Sequence, residues 1–467
     1  MSKIVKYYIY HYVLIIIIIF FPLFTIDKYL FGNEDLIPIK YKKETQDNGL
    51  RIIMVEHHEL PVVAIELLVK AGSVNDSQGE SGLANITAQL LREGTRSKDS
   101  LEISDEIDFI GGKLDVDCEY DSTSITTTAL AKHFRTILNL LSEVTRFPSF
   151  KSSDIEFYRD KAITSILREK DNKSTIAGRH FSEMLYGPHP YAHPPIGTEE
   201  CLKSITRKEI VEFHKKHYLP DNSILTVVGD IGPANVLTAV KETFGDWKKG
   251  NVPASTFPDI TKIDGYRIRL VDKPDLTQTE ILIGHPGIKR TDPDYVPILL
   301  LNYIFGRGPA SRLYTKLRAE KGLTYGVKSR FEARKLQGPF YISTYSKNET
   351  AIEALRLVLD ELNKLKSNGI TKDELESAKS YHIGHFPLSL ETPVQIASRI
   401  IEQEFYGLPE DYLEKYLENI KTVSIEDVNR AIKRILGPHN LVIVLVSKAE
   451  DILEDVKKLG EVELRKP

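Results

Sequence analysis

The stretch Arg51-Ile52-Ile53-Met54-Val55-Glu56 returns in similar form 216 residues later, as Arg267-Ile268-Arg269-Leu270-Val271-Asp272. Each copy leads into a second run rich in branched residues, 62–69 in the first case and 277–283 in the second. Short runs of branched residues with a polar break between them are typical of neighbouring β-strands. This stretch therefore predicts that one kind of sheet is built twice in the same chain.

Two further landmarks repeat in the same order. Leu185-Tyr186-Gly187 resembles Phe405-Tyr406-Gly407 at an offset of 220 residues, and 220–225 resemble 438–443 at an offset of 218. Agreement at all these places indicates an internal duplication with about 200 residues per copy, which is a normal domain size. The predicted boundaries are a first half over 49–252, a linker over 253–264 and a second half over 265–467.

Helical and strand patterns are mixed within each half. Ile103, Ile107 and Ile110 follow helical spacing, and capping boxes begin helices at Thr206-x-x-Glu209 and Ser424-x-x-Asp427. A Thr-rich alternating run over 121–128 predicts another strand. The order predicts the α+β class, with two duplicated domains, each a mostly antiparallel sheet covered by helices on one face.

The N-terminal region has a different composition. Residues 7–26 carry no charged side chain, and as a helix they would span about 30 Å, the thickness of a bilayer core. Lys3 and Lys6 precede this run, so we expect the N-terminus in the cytoplasm. We therefore predict that 1–28 contains one hydrophobic helix, which anchors the chain in the inner membrane with its main body extracytoplasmic, in the periplasm. The alternative is a cleaved signal that leaves a secreted or periplasmic protein.

Overall composition limits the other classes of function. The chain has 467 residues, 41% of them hydrophobic and 27% charged, which is enough to bury a core. A net charge of -4 argues against a nucleic-acid-binding protein, which would have a basic excess. Two cysteines, Cys118 and Cys201, exclude a disulfide framework, and we expect free thiols. The polar residues 29–48 lack a clear period and are predicted to be a tether.

Gly82-Leu83-Ala84 and Gly94-Thr95 enclose a segment that contains Asn85, Ala88 and Gln89. The flanks resemble those of the zinc motif in the insulinase, pitrilysin and mitochondrial-processing-peptidase family. Active members carry His-x-x-Glu-His there, so the resemblance places Asn85 and Gln89 at ligand positions and Ala88 at the position of the catalytic base. Amides are poor zinc ligands and alanine cannot transfer a proton.

The third zinc ligand of that family is a glutamate on a later helix. By alignment this position falls near Thr164 or Ser165, and the nearest carboxylate is that of Glu169. The resemblance therefore implies that this chain binds no metal and no other cofactor of its own.

A second motif begins at Gly306-Arg307-Gly308-Pro309. Ser311 is placed to cap a helix, Gly322 to end it, and a strand is predicted over 325–330. Arg318 and Tyr325 then project from one helix–strand junction. They resemble the family's Arg/Tyr pair, which binds the substrate carbonyl from the half opposite the zinc. The alternative is structural: Arg318 stabilises a helix C-terminus and Tyr325 belongs to the core.

The resemblance also implies which residues bind substrate and that the active protein has two chains. Gly306, Arg307 and Gly308 resemble the family's substrate-binding glycine-rich loop, and the two halves are expected to form a clamshell. The runs 385–392 and 404–413 resemble the bacterial two-chain branch, in which one chain carries the zinc motif and the other the Arg/Tyr pair.

We therefore predict a non-catalytic subunit of a heterodimeric zinc metallopeptidase. It would present Arg318 and Tyr325 to an extended peptide bound at the partner's zinc, with membrane attachment through residues 7–26 and no nucleic acid. One alternative is a membrane-anchored structural or peptide-binding assembly subunit without a part in catalysis. Another is an autonomous metalloendopeptidase with atypical ligands.

Overall fold

The computed structural model describes residues 39–252, 256–260 and 262–467. The hydrophobic helix predicted over 7–26 and part of the predicted linker over 253–264 lie outside these residues. In the described ranges, no helix has the length and apolar character needed to cross a membrane. Residues 40–467 form one compact unit, in which we call 40–252 the first half and 262–467 the second half.

The strands of the first half are β1 (Lys42–Thr45), β2 (Arg51–Glu56), β3 (Val62–Val69), β4 (Lys113–Cys118), β5 (Thr123–Leu130) and β6 (Ser223–Gly229). Its helices are α1 (Leu83–Gln89), α2 (Ser100–Phe109), α3 (Phe134–Arg146), α4 (Ser152–Glu169), α5 (Lys173–Tyr186), α6 (Glu199–Ser204), α7 (Arg207–His217) and α8 (Pro233–Phe244).

The strands of the second half are β7 (Tyr266–Asp272), β8 (Gln278–Pro286), β9 (Val327–Phe331), β10 (Pro339–Lys347), β11 (Leu441–Ser447) and β12 (Val462–Arg465). Its helices are α9 (Tyr295–Asn302), α10 (Ala351–Asn368), α11 (Lys372–His385), α12 (Pro393–Tyr406), α13 (Tyr416–Thr422), α14 (Ile425–Ile435) and α15 (Ala449–Val456). Two π-helical segments, Tyr303–Arg307 and Tyr314–Glu320, follow α9.

The two sheets have matching topologies. Their strand orders are β1-β2-β6-β3-β5-β4 and β12-β7-β11-β8-β10-β9, so five positions correspond one to one. The pairs β2–β6 and β11–β7 are parallel, as is β12–β7, and the remaining neighbours are antiparallel. The predicted α+β fold, with two duplicated and mostly antiparallel sheets, is confirmed.

The two sheets take their sixth strands from opposite sides of the sequence, β1 before the first half's other strands and β12 after those of the second half. In the first half β1 pairs antiparallel with β2, whereas in the second half β12 pairs parallel with β7. The prediction of a tether over 29–48 is therefore wrong for Lys42–Thr45. This strand is an edge with mostly exposed side chains, so it has no apolar period to reveal it. Lys43 also bonds to Glu404 and Glu410 of the second half, with N–O distances of 2.8 and 2.9 Å.

Each half gives one helix to the sheet of the other half. Helix α5 packs on β8 and β11, and helix α12 packs on β3 and β6. Along β11, alternate residues such as Ile443 lie in the core of the second half, whereas Val442, Val444 and Val446 contact the apolar face of α5. Each sheet thus carries its own helices on one face, as predicted, and an exchanged helix on the other.

A polar cluster joins the halves beside these helices. The Tyr191 hydroxyl donates to both Asp121 carboxylate oxygens, at 2.6 and 2.7 Å. The backbone N–H of Lys335 donates to Asp121 Oδ2 at 3.1 Å, and the Arg334 guanidinium lies 3.8 Å from the centroid of the Tyr120 ring. The loop between β9 and β10 is therefore fastened to the first half by charged and aromatic contacts.

Candidate functional site

Helix α1 contains the positions at which the family's zinc motif would lie. It begins after Gly82, whose φ of +100° favours glycine and where a Cβ would come within 2.8 Å of the Ile196 carbonyl oxygen. The buried Asp76 carboxylate accepts hydrogen bonds from the backbone N–H groups of Gly82 and Ala84, both at 2.8 Å. Burial raises the pKa of Asp76 to about 7 despite these donors. The helix start is thus held by a side chain that sequence analysis missed.

The side chains at the predicted ligand positions are bonded within the first half. Asn85 Oδ1 accepts a hydrogen bond from the Tyr158 hydroxyl at 2.8 Å, and Gln89 Nε2 donates to the Val116 carbonyl at 3.1 Å. Ala88 is fully buried in the core. These residues serve packing and local hydrogen bonding, and Tyr158 on α4 is a partner that sequence analysis missed.

The later helix does not complete a metal site around them. Thr164 on α4 is exposed and Ser165 is half-buried, while Glu169 lines a cavity between the halves. Across the part of the chain that the structure describes, no three His, Cys, Asp or Glu side chains are grouped so that they could hold a metal ion.

Arg318 and Tyr325 lie together at the surface of the second half. The Arg318 guanidinium carbon is 4.5 Å from the centroid of the Tyr325 ring and 4.9 Å from that of Tyr314. Tyr325 is 75% exposed, so the alternative of a core tyrosine is wrong. The strand begins at Val327, two residues later than predicted. Tyr314, four residues before Arg318, was missed, although helical i, i+4 spacing would have placed it on the same face.

The connection between helix and strand is held by hydrogen bonds from β10. Ser346 Oγ donates to the Leu323 carbonyl at 2.8 Å, and Thr344 Oγ1 donates to the Gly326 carbonyl at 3.0 Å. Gly322 has a φ of +63°, which allows the chain to leave the helix. Because the residues on both sides of Tyr325 are anchored, its ring is positioned by the backbone while its surface stays open to solvent.

Close packing explains why positions 306 and 308 of the glycine-rich segment are glycines. A Cβ on Gly306 would lie 2.6 Å from the backbone nitrogen of Ser329, and one on Gly308 would lie 3.0 Å from the Tyr303 carbonyl oxygen. Both glycines are buried, whereas Arg307 between them is exposed. Of these three predicted substrate-binding residues, only Arg307 offers a side chain to solvent, and the binding role stays a prediction.

A cavity of about 480 Å³ lies between the halves. It is bordered by α5 and by the β9–β10 hairpin, with Arg179 on the helix side and Lys328, Arg330 and Glu332 on the hairpin side. The strand β9 that follows Tyr325 is the edge of its sheet. An exposed edge strand can pair with an extended peptide, so this region has the elements for peptide binding.

The chain consists of two duplicated α+β halves, and α1 carries amides and an alanine at the motif positions. These features define a peptidase-type chain that lacks the family's usual zinc ligands on that helix. The chain belongs to the insulinase family, peptidase family M16. The profile described as insulinase (peptidase family M16) matches residues 51–199, and the one described as peptidase M16 inactive domain matches residues 204–381. The predicted family resemblance is confirmed.

Relatives align over nearly the whole length of the described chain. An uncharacterized zinc protease, YmxG of Bacillus subtilis, is 25% identical over 407 residues, covering 87% of this chain and 98% of the relative. The non-peptidase homolog YmxG of Helicobacter pylori is 24% identical over 408 residues, covering 87% and 93%. Proteins similar to this chain therefore carry both peptidase and non-peptidase descriptions.

Solved structures share the architecture. The peptidase M16 inactive domain from Pseudomonas fluorescens has a TM-score of 0.83 and 27% identity, covering 92% of this chain and 99% of that one. A protease from Helicobacter pylori also has a TM-score of 0.83, with 23% identity and coverage of 87% and 99%. The fold is therefore that of the M16 clamshell proteins.

Proposed function

We propose that this chain is the non-catalytic subunit of a heterodimeric zinc metallopeptidase. The observation that carries the proposal is the contrast between α1, whose motif positions are bonded internally, and the exposed Arg318–Tyr325 pair. The partner is a zinc-motif-bearing member of the same family, and zinc belongs to that partner. Membership of family M16 supports the peptide-handling part of the proposal.

The chemistry assigned to the pair follows from its groups. Peptide hydrolysis develops negative charge on the carbonyl oxygen, and hydrogen-bond donors fixed in advance stabilise that charge. Arg318 supplies a charged fork of N–H donors and Tyr325 a neutral hydroxyl. Among the described residues, Arg318 makes no ion pair and Tyr325 Oη has no hydrogen-bond partner, so their donors remain available to a ligand from outside the chain.

The substrate we propose is a peptide in extended form. It would add as a strand to a sheet edge, and the described edges nearest the two motifs are β4 and β9. Arg307 is the exposed side chain of the glycine-rich segment that would meet it. Recognition of this kind uses backbone hydrogen bonds, so it favours unfolded segments over folded proteins.

Reconstitution tests the proposal directly. The full chain, purified in detergent, is mixed with a zinc-motif relative encoded in the same genome, and cleavage of an unstructured fluorogenic peptide is measured. We expect no cleavage and no stoichiometric zinc from this chain alone, and cleavage when both chains are present. A control pair, in which the partner's motif glutamate is replaced by glutamine, should be inactive.

The second candidate is a membrane-anchored structural or peptide-binding assembly subunit with no part in catalysis. It is favoured by the buried Gly306 and Gly308, whose identity packing alone explains. The same reconstitution separates the two candidates. A complex that forms and cleaves at full rate with Arg318→Ala and Tyr325→Phe combined would support this second function. Stoichiometric zinc in the isolated chain would instead support the autonomous metalloendopeptidase.

We also propose that residues 7–26 anchor the chain in the inner membrane, with the body in the periplasm. The uncharged run and the preceding Lys3 and Lys6 support this orientation. Alkaline extraction of membranes should leave the chain in the pellet, and protease added to spheroplasts should degrade it. The mass of the purified chain would reveal the alternative, since a cleaved signal removes the N-terminal segment.

A further inference from the structure

A cavity of about 250 Å³ lies in the second half between α11 and α12, and neither Arg318 nor Tyr325 belongs to its lining. We call it the α11–α12 cavity. Its charged lining consists of three guanidinium groups and one carboxylate, those of Arg290, Arg307, Arg399 and Glu402. Two imidazoles, His382 and His385, also line it. The lining therefore has a surplus of positive charge even when both histidines are neutral.

The one carboxylate is already shared. Glu402 Oε1 accepts a hydrogen bond from Arg290 Nε at 3.0 Å, and Glu402 Oε2 lies 3.5 Å from Arg399 Nη1. Arg290 is buried and also donates to the Tyr412 hydroxyl at 3.1 Å. Arg307 is exposed and makes no ion pair with any residue that the structure describes. One carboxylate thus serves both Arg290 and Arg399, and Arg307 has no acidic partner among the described residues, so the three guanidinium groups keep a positive surplus.

The histidine beside Arg307 adds no charge of its own to the lining. Burial, together with the positive charge of Arg307, lowers the pKa of His382 to about 4, so the imidazole is neutral at physiological pH. His382 and Gln403 are both more than nine-tenths buried. Within the described ranges, His382 Nε2 and Gln403 Oε1 have no hydrogen-bond partner. Both atoms are enclosed by protein, so it is the surplus charge of the guanidinium groups that favours an anionic occupant of the cavity.

Much of the remaining lining is aromatic. The rings of Phe386 and Tyr416 are stacked with centroids 4.1 Å apart, and those of Tyr381 and His385 are stacked at 5.4 Å. Such walls bind planar or aliphatic groups and also attract cations, so they do not by themselves select an inorganic ion. The volume equals that of about eight water molecules at ~30 Å³ each, so the occupant is small.

We propose that the α11–α12 cavity binds a small organic carboxylate with an aromatic or aliphatic body, whose charge pairs with Arg307 and Arg399. Guanidinium groups bind carboxylates through paired N–H donors, and the aromatic walls cover the body. A free aromatic acid and the C-terminal residue of a peptide share this chemistry. The proposal shares Arg307 with the function proposed above, but it uses neither Arg318 nor Tyr325, and it is tested by binding to the full chain alone.

Calorimetric titration of the full chain tests the proposal with a matched pair of probes. The acid probe is N-acetyl-phenylalanine, and the neutral control is N-acetyl-phenylalanine amide, which has the same body. We expect saturable binding of the acid, weakened by added salt, and at least tenfold weaker binding of the amide. Equal binding of acid and amide, or no saturable binding of either at millimolar concentration, would overturn the proposal.

Variants locate the binding. Arg307→Gln and Arg399→Gln should each weaken binding of the acid about tenfold, and Arg399→Lys should restore part of it. Arg356→Gln removes an exposed arginine of α10 and should leave the affinity unchanged. Thermal melting checks that each variant is folded, and Arg307 is exposed enough to be replaced without a loss of packing. Unchanged affinity in both glutamine variants would place the probe elsewhere and contradict the assigned site.

Two further probes separate the sources of the carboxylate. Acetyl-Gly-Gly-Phe with a free C-terminus is compared with the single amino-acid acid, and inorganic phosphate is used as a competitor without a body. Tighter binding of the peptide acid assigns the cavity to peptide C-termini, whereas equal binding assigns it to free acids. Displacement of the acid by phosphate at equal concentration would contradict the role of the aromatic walls.

Discussion

Helix α1 and the Arg318–Tyr325 junction both occupy positions of a known catalytic motif, but they relate differently to the rest of the chain. Around α1, the side chains of Asn85 and Gln89 are bonded to Tyr158 and to the backbone of β4. At the junction, the Arg318 guanidinium lies over the rings of Tyr314 and Tyr325, and Tyr325 is 75% exposed. A motif that has lost its chemistry can be absorbed into packing, whereas side chains that act on an outside ligand must stay available.

Among single substitutions, Arg318→Ala in the reconstituted pair should have the largest effect. Removal of a preorganised donor costs about 10²–10³-fold in turnover, and we expect about 10³-fold because the donor is charged. The melting temperature should change little, since Arg318 makes no ion pair with the described residues. Activity and melting are measured on the same preparation, with Arg356→Ala as the control. Full activity would remove the catalytic role from the junction.

Acidification should destabilise the packing around α1 through His214. His214 lies on α7, which packs against α1, and its Nε2 is 2.7 Å from the Thr145 carbonyl oxygen. Burial lowers the pKa of His214 from 6.5 to about 4. Below pH 6.5 the unfolded chain takes up a proton at His214 that the folded chain resists until about pH 4, so the contribution of His214 to stability is lost across that window. The loss reaches about 3 kcal/mol at ~1.36 kcal/mol per pKa unit.

Chemical denaturation at several pH values measures this loss. His214→Gln should flatten the dependence between pH 6.5 and 4, even though it also weakens packing at pH 7. His439→Gln replaces an exposed histidine and should keep the original slope. An unchanged slope in His214→Gln would show that other buried groups cause the acid sensitivity.

Tyr325→Phe removes one hydroxyl from the junction. We expect a fall of about 10²-fold in turnover of the reconstituted pair, at the lower end of the range because the donor is neutral. The ring that contacts Arg318 is kept, so stability should stay within ~0.5 kcal/mol of the original chain. Steady-state kinetics with saturating peptide separate a loss of turnover from a loss of binding. A rise in KM alone would assign Tyr325 to peptide binding instead.

Tyr158→Phe is the corresponding loss of a tyrosine hydroxyl beside α1. It deletes the hydroxyl that donates to Asn85, and a hydrogen bond of this kind is worth about 1 kcal/mol of stability. We expect that loss in urea denaturation and no change in the turnover of the reconstituted pair. If turnover fell while stability did not, Asn85 and Tyr158 would have a role in substrate handling that their packing does not explain.

Several features of the molecule follow from the sequence because they depend on local pattern. The repeat of 51–56 at 267–272 predicts the duplication, since strands that bury one face need the same alternation in both copies. Tyr186-Gly187 and Tyr406-Gly407 mark corresponding helix ends, where glycine ends α5 and α12. The absence of histidine between Ala84 and Gly94, and of glutamate at position 88, is likewise visible without a structure.

Other features depend on residues far apart in the chain. The exchange of α5 and α12 between the sheets leaves no signal in either helix, because an apolar face does not reveal which sheet it covers. The strand Lys42–Thr45 is too polar to have a period and exists because β2 offers it an edge. Thr344 and Ser346 support the junction from β10, about 20 residues beyond the loop that they hold.

The sequence by itself determined the fold class, the duplication, the family and the loss of the zinc motif, because each rests on residue types at fixed local spacing. Only the tertiary structure decided that Asn85 and Gln89 are bonded internally, that Tyr325 is exposed beside Arg318, and that Gly306 and Gly308 are packing residues. The physical reason is that exposure and hydrogen-bond partners are set by distant segments brought together on folding.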